Sequence, residues 1–367
     1  MILMNDFKAE PQALRDAMLD AAKRVIESGW YVLGKEVEAF EGKWAAACGV
    51  NHSVGVGNGM DAIEIALRVL GIGRGDEVIT TPMTAFATVL AIIRSGATPV
   101  LADIDPDTAL LSLDSVGRCI SPRTRAVVLV HLYGQIRGMD AWEQFCYQHG
   151  IFLIEDCAQA HLAQWRSRTA GSFGEIGAYS FYPTKNLGAL GDAGILVTNN
   201  TRLAEAAAHQ RNYGQAIRYH HPELGLNSRL DELQAAILSE RLKWLPEFTE
   251  RRQRVAEMYR IGINNPRVRQ LAAAEHPGSH VFHLYVVTCK HRDALQRHLQ
   301  HNQVQSLIHY PIPVHMQKPC REIARDPQGL EYSDAHAASC LSLPCHPQMT
   351  DSDVFRVIDA VDRFDAD

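Results

Sequence analysis

A chain of 367 residues is long for one domain and comfortable for two that share a core. Apolar residues make up 46% and charged residues 21%, the balance of an ordinary globular protein. A net charge of -6 argues against a chain built mainly to hold nucleic acid or an anionic membrane surface, though local basic sites remain open to it.

The opening stretch "MILMNDFKAEPQALRD" lacks a basic head before an apolar core, so no signal peptide is expected. No apolar run approaches the ~20 residues of a membrane span. Residues 11–29, "PQALRDAMLDAAKRVIESG", have helical spacing and stop at a glycine, and 34–49 read as a second helix. An alternation follows. Strand 52–57 precedes helix 59–73, strand 76–82 precedes helix 84–96, and strand 98–104 comes next. Strand 123–134, helix 140–150 and strand 151–158 continue the series. Strands written as continuous apolar runs between helices indicate a parallel sheet covered on both faces.

After "GILVTN" the pattern gives way to one long helical stretch over 228–259, with Pro246 as the expected bend. The remainder contains "HLYVVTC", the helix "RDALQRHLQHN" and a last helix within 350–364, which read as an α+β unit with its own small core. The expected division is a large domain over 1–245 and a small one over 246–367. The eight cysteines form no CxxC pair and sit mostly in apolar stretches, which reads as buried reduced thiols in a reducing cytoplasm. The histidines show no HxxxH or HExxH pattern on a plausible helix, "RYHHPELG" reads as loop surface, and no metal site is expected.

Ligands of open parallel sheets sit beyond the carboxyl ends of the strands. The segments "GNGMDA", "TPMTAFAT", "EDCAQAH" and "SFYPTKN" fall at such ends or just after them. Asp156, closing an apolar strand, either caps the next turn or faces a cation such as a protonated ring nitrogen. Lys185 lies between an aromatic-proline corner and a glycine-rich loop that lets a flat group approach the backbone. Lysine is the side chain that condenses with an aldehyde and then shuttles protons. Ser180 can donate to a phosphate oxygen, and the glycine-to-helix turn at Gly59 and Met60 offers free backbone amides. Phe86 lies near a ring face or in the core.

These segments, with "RNYG" and "GLNSRLDELQAAIL", resemble the nucleotide-sugar aminotransferases of the DegT/DnrJ type, from about residue 29 to the C-terminus. The late "HLYVV" and "LIHYPIPVHMQ" are most similar to members that aminate the 3-keto group of dTDP-linked 6-deoxyhexoses. The resemblance implies an α/β, aspartate aminotransferase-like (fold type I) large domain with a mostly parallel sheet, and a smaller C-terminal α+β domain. It implies pyridoxal 5'-phosphate as cofactor, L-glutamate as amino donor, and a cytoplasmic homodimer with shared active sites.

By the same resemblance, Lys185 matches the lysine that binds the cofactor and Asp156 the partner of its ring nitrogen. Gln159 matches a residue beside the ring and its 3-hydroxyl, and Gly59, Met60 and Ser180 fall in the phosphate-binding positions. Asn227 matches an asparagine that reaches the phosphate from the other subunit. Met60 stands where the family commonly has threonine or serine, and Ala85 where an aromatic often stacks on the ring. Tyr182, Tyr213, Arg229, His309, Tyr310 and His315 are the expected contacts of the nucleotide sugar. Lys185 argues against the dehydratases of this scaffold, in which histidine replaces that lysine. The alternatives left open are amination at C4 of a dTDP- or UDP-4-keto sugar, and a non-catalytic regulator that retains the fold.

Overall fold

A computed structural model describes residues 1–365. In chain order, α1 (Gln12–Ser28) and α2 (Lys35–Cys48) lead to β1 (His52–Val56), α3 (Gly59–Val69), β2 (Glu77–Thr80), α4 (Phe86–Ser95) and β3 (Thr98–Leu101). Next come α5 (Leu113–Cys119), β4 (Thr124–Val130), α6 (Met139–His149), β5 (Phe152–Asp156), the short hairpin β6 (Gln164–Trp165) and β7 (Arg168–Thr169), β8 (Ile176–Ser180) and β9 (Gly194–Thr198). The helices α7 (Thr201–Gln210), α8 (Glu232–Leu242) and α9 (Leu245–Gly262) precede β10 (Val268–Gln270), β11 (Tyr285–Cys289) and α10 (Arg292–His301). The chain closes through β12 (Ala324–Arg325), α11 (Glu331–Ser339), β13 (Cys340–Leu343) and α12 (Asp351–Asp362).

The large sheet has the order β1-β9-β8-β5-β4-β2-β3-β12. All its pairings are parallel except those of β9, which runs against both β1 and β8. Burial on both faces explains the unbroken apolar runs. Ile79, Val127, Leu129 and Leu153 pack with Phe40 and Trp44 of α2 and Trp142 of α6. Val78, Val128, Ile154 and Leu196 pack on the other face with Ile63 and Leu67 of α3 and Ile92 of α4. α1 and α2 end where Gly29 and Gly49 take left-handed φ of 62° and 67°, which closes the last turn at little steric cost.

A second core joins Val255 and Tyr259 of α9, Val287 of β11, Leu295 of α10, Leu341 of β13 and Val357 of α12. Ile2 belongs to this core, bridged to Val304, whereas β12 adds to the edge of the large sheet by pairing with β3. All eight cysteines are free and buried, as their apolar settings indicate.

β9 runs antiparallel because it follows β8 with no crossover helix between them. Two expectations need correction. The long helical stretch is two helices, parted at Lys243–Trp244, with Pro246 in the first turn of α9, where a missing N–H costs nothing. The strand expected over 123–134 stops at Val130, because Tyr133 takes a φ of 63° and turns the chain.

Candidate active site

The site is assembled at the carboxyl ends of β5 and β8. Asp156, the last residue of β5, is buried. Its Oδ2 accepts from the Thr88 hydroxyl at 2.8 Å and its Oδ1 from the Ala158 N–H at 3.1 Å. The Thr88 hydroxyl lies 2.8 Å from that of Thr84. Thr88, itself in contact with Thr84, orients the carboxylate, and among the described residues no salt-bridge partner contacts it.

Lys185 follows β8 in a tight turn in which its N–H donates to the Tyr182 carbonyl at 2.8 Å. The side chain is half-buried at the rim. Burial pulls its amine down and Asp156 pulls it partly back, to about 8. Buried imidazoles surround this charge. Burial, then the Lys185 charge, takes His161 down to about 3 and His309 to about 4, and lowers His283 in the same way. All three are therefore neutral near pH 7. His161 donates from Nε2 to the Ser180 carbonyl at 3.0 Å and stacks on Phe181.

Gly59 opens α3 directly against Ser180. A Cβ on Gly59 would stand 2.6 Å from the Ser180 Cβ, so only glycine lets the helix start reach the end of β8. Asn58 caps the helix through the Asp61 N–H, and no acceptor for the N–H groups of Gly59 or Met60 lies among the described residues. Two helix-start amides and one hydroxyl therefore converge, the donor set that a phosphate needs.

Gln159, also buried, accepts at Oε1 from the Tyr133 N–H at 2.6 Å and donates from Nε2 to the Tyr310 hydroxyl at 3.2 Å. Phe86 begins α4, two residues before Thr88, and is partly exposed. Tyr182 is exposed beside Ser180.

Arg229 stacks over the Tyr213 ring and donates to Asn212 at 3.1 Å, and Asn227 bridges Asn212. Asn227 is exposed and its side chain makes no hydrogen bond to the described residues.

In the loop expected to contact the sugar, Tyr310 and His315 meet different partners. Tyr310 reaches inward to Gln159 and feels the Asp156 charge, which places it with the group around Lys185. His315 is buried elsewhere, with Nε2 2.9 Å from Asp334 Oδ1, because Val314 anchors its turn in a separate cluster with Val89 and Leu101.

Thr88, Tyr133, His161 and His283 were not singled out from the sequence. The i, i+4 spacing of Thr84 and Thr88 at the start of the helix expected over 84–96 is the available signal, although α4 itself begins two residues after Thr84. A buried group of His131, Glu155 and Cys157 also comes together. Glu155 already accepts from His131 at 2.8 Å and from the N–H groups of Gly171, Phe173 and Gly174. Burial raises its pKa, but His131 and these amides outweigh burial and hold it below the ordinary carboxylate value. The group ties the 171–174 turn to β5.

The match to known proteins is extensive. Residues 12–362 match the DegT/DnrJ/EryC1/StrS aminotransferase family. The chain belongs to that family. It is 43% identical to a dTDP-3-amino-3,4,6-trideoxy-alpha-D-glucose transaminase of Streptomyces venezuelae, over 97% of this chain and 94% of the relative. It is 42% identical to a dTDP-3-amino-3,6-dideoxy-alpha-D-galactopyranose transaminase of Aneurinibacillus thermoaerophilus, over 99% of each. The crystal structure of S. venezuelae DesV in complex with a ketimine intermediate has a TM-score of 0.95 and 42% identity, over 98% of this chain and 97% of that one. The fold of this aminotransferase is thus the one its sequence resembles. None of its described helices is long and apolar enough to cross a membrane.

Proposed function

We propose that this aminotransferase moves the amino group of L-glutamate onto the 3-keto group of a dTDP-linked 3-keto-6-deoxyhexose, working as a homodimer with shared active sites. Two relatives acting on dTDP sugars that carry the amine at C3, matched over nearly the whole chain, support that choice of carbon and nucleotide. The observation that carries the reaction type is the desolvated Lys185 amine in the field of Asp156.

The cofactor is pyridoxal 5'-phosphate, and the residues fit it: an amine near pKa 8, a buried carboxylate, and a phosphate-sized set of donors at Gly59, Met60 and Ser180. When bound, the cofactor supplies an electron sink for the charge left as a C–H proton departs. Lys185 would hold it at rest and, when released, take and return that proton at Nζ, since an amine lowered to about 8 has a far larger neutral fraction near neutrality than an ordinary lysine. Asp156, oriented by Thr88 and the Ala158 N–H, would keep the ring nitrogen protonated. Gln159 would hold the ring edge and Phe86 flank the ring, while Asn227 of the second subunit would complete the phosphate site.

Tyr182, Tyr213, Arg229 and His309 would receive the nucleotide sugar, with the guanidinium suited to a diphosphate. The division at 245/246 belongs to this reading and is supported by the separate core of the later segment.

The deciding experiment incubates the protein with glutamate and a panel of dTDP- and UDP-linked 3-keto and 4-keto sugars, with products read by mass spectrometry. Amination of a dTDP-3-keto sugar by the wild type, abolished in a folded Lys185→Ala protein, is the expected result. Preference for a 4-keto sugar would overturn the proposed position, and turnover in Lys185→Ala would overturn the mechanism.

A further inference from the structure

Tyr133 touches both the turn after β5 and the 309–310 loop by hydrogen bonds of fixed direction. It is fully buried and holds a φ of 63°, a region an aromatic residue occupies only where its surroundings impose it. Its N–H faces Gln159 at 2.6 Å, and its hydroxyl lies 2.6 Å from the His309 carbonyl and 2.9 Å from His336 Nε2.

Donor and acceptor rules settle the direction of each bond. A backbone N–H only donates, so the Gln159 atom facing Tyr133 is its oxygen, and its NH2 faces Tyr310. A carbonyl only accepts, so the Tyr133 proton goes to His309, and His336 must donate to the Tyr133 oxygen. Tyr310 therefore accepts from Gln159, and its own proton has no acceptor among the described residues. The network runs from His336 through Tyr133 and Gln159 and ends in one uncommitted O–H. That hydroxyl sits against Gln159 and within the field of Asp156.

We propose that Tyr133 is a positioning residue, fixing Gln159 and the 309–310 peptide so that the Tyr310 hydroxyl donates to an oxygen of the bound cofactor. The inference rests on the aminotransferase reading above for the identity of that ligand. Tyr133 grips residues 309 and 310 at two points, one directly and one through Gln159. It thereby couples a loop from the later half of the chain to the end of β5.

The test is a double-mutant cycle of Tyr133→Phe and Tyr310→Phe, read in two ways. The first is the dissociation constant of the cofactor-free protein for pyridoxamine phosphate, by tryptophan fluorescence. The second is kcat and KM of the loaded enzyme. Each single variant is expected to weaken binding about tenfold and lower kcat by a similar factor, the scale of one hydrogen bond. The double variant should be no worse than either single one, because Tyr133→Phe acts by releasing the 309–310 peptide that aims the Tyr310 hydroxyl. KM for the nucleotide sugar should hold in Tyr310→Phe and rise in Tyr133→Phe, which frees the His309 backbone.

Independent effects, multiplying to about a hundredfold in the double variant, would overturn the coupling. So would a Tyr133→Phe protein that melts earlier but keeps wild-type affinity and kcat. The Cys340 thiol, 3.7 Å from the His309 carbonyl, leaves that oxygen a donor in Tyr133→Phe. Should this variant still not fold, Gln159→Glu replaces it: its carboxylate accepts from the Tyr133 N–H and also captures the Tyr310 proton. Adding Tyr310→Phe to Gln159→Glu should then change the affinity no further, and a further tenfold loss would overturn the proposal. The fluorescence arm needs no turnover, so it reads the network even if the proposed reaction fails.

Discussion

Replacing Asp156 with asparagine changes the charge of the site at one group while keeping its shape. The amide oxygen can still accept from Thr88 or from the Ala158 N–H, so the end of β5 should stay in place. What disappears is the charge that raises the Lys185 pKa against burial, which lowers it. The wild-type amine, at about 8, is half neutral near that pH. An ordinary lysine would be neutral in only about 1 molecule in 300 there.

In Asp156→Asn the midpoint should fall below the wild-type value, making the amine more available. Turnover should nevertheless drop by at least ~10²-fold, because the ring nitrogen loses its electrostatic partner. Opposite movements of two observables are hard to produce by misfolding. The assay treats cofactor-free protein with pyridoxal phosphate between about pH 6 and 10, traps the adduct with borohydride, and maps the labelled peptide. Half-maximal labelling of Lys185 is expected near pH 8 for the wild type and lower for the variant. A wild-type midpoint near the ordinary lysine value would show that Lys185 is solvated. Near-normal turnover in Asp156→Asn would reduce Asp156 to a structural cap.

The same depressed pKa makes the unfolded chain hold a proton that the folded one has released, so stability of the cofactor-free protein should rise from about pH 8 to 10.5; urea melts of wild type and Lys185→Met compared across that range would show it. Gly59→Ala should cost about 1–3 kcal/mol in denaturant melts and weaken pyridoxal phosphate binding, since the new methyl meets Ser180 Cβ at 2.6 Å; unchanged binding would move the phosphate site elsewhere. Asn227→Ala should loosen the cofactor without changing the assembly state, and an active monomer in sedimentation would refute the proposed shared site. Glu232 accepts from the N–H groups of Gly34, Glu36 and Val37 at the start of α2, so Glu232→Ala should lower stability by about 2–3 kcal/mol in urea, with unaltered stability showing that water replaces it.

The alternation of apolar runs with helical spacing was enough to indicate a covered, mostly parallel sheet, because burial on both faces leaves a local signature in every strand. Lys185, Asp156, Ser180 and Gly59 were legible for a related reason: each stands in a short motif at the end of an element, with its chemistry written into adjacent residues. The direction of β9 was not legible, since an apolar run does not encode which neighbour it pairs with.

Nor were the partners that orient the site. Thr88 meets Asp156 across 68 positions, Tyr133 meets His309 across 176, and Glu232 caps α2 across nearly 200. Such pairs exist only once the chain has closed on itself, and hydrogen-bond direction is settled by geometry that no local pattern carries. The pairing of His315 with Asp334 has the same cause: Val314 packs with Val89 and Leu101 in a cluster that no local pattern announces.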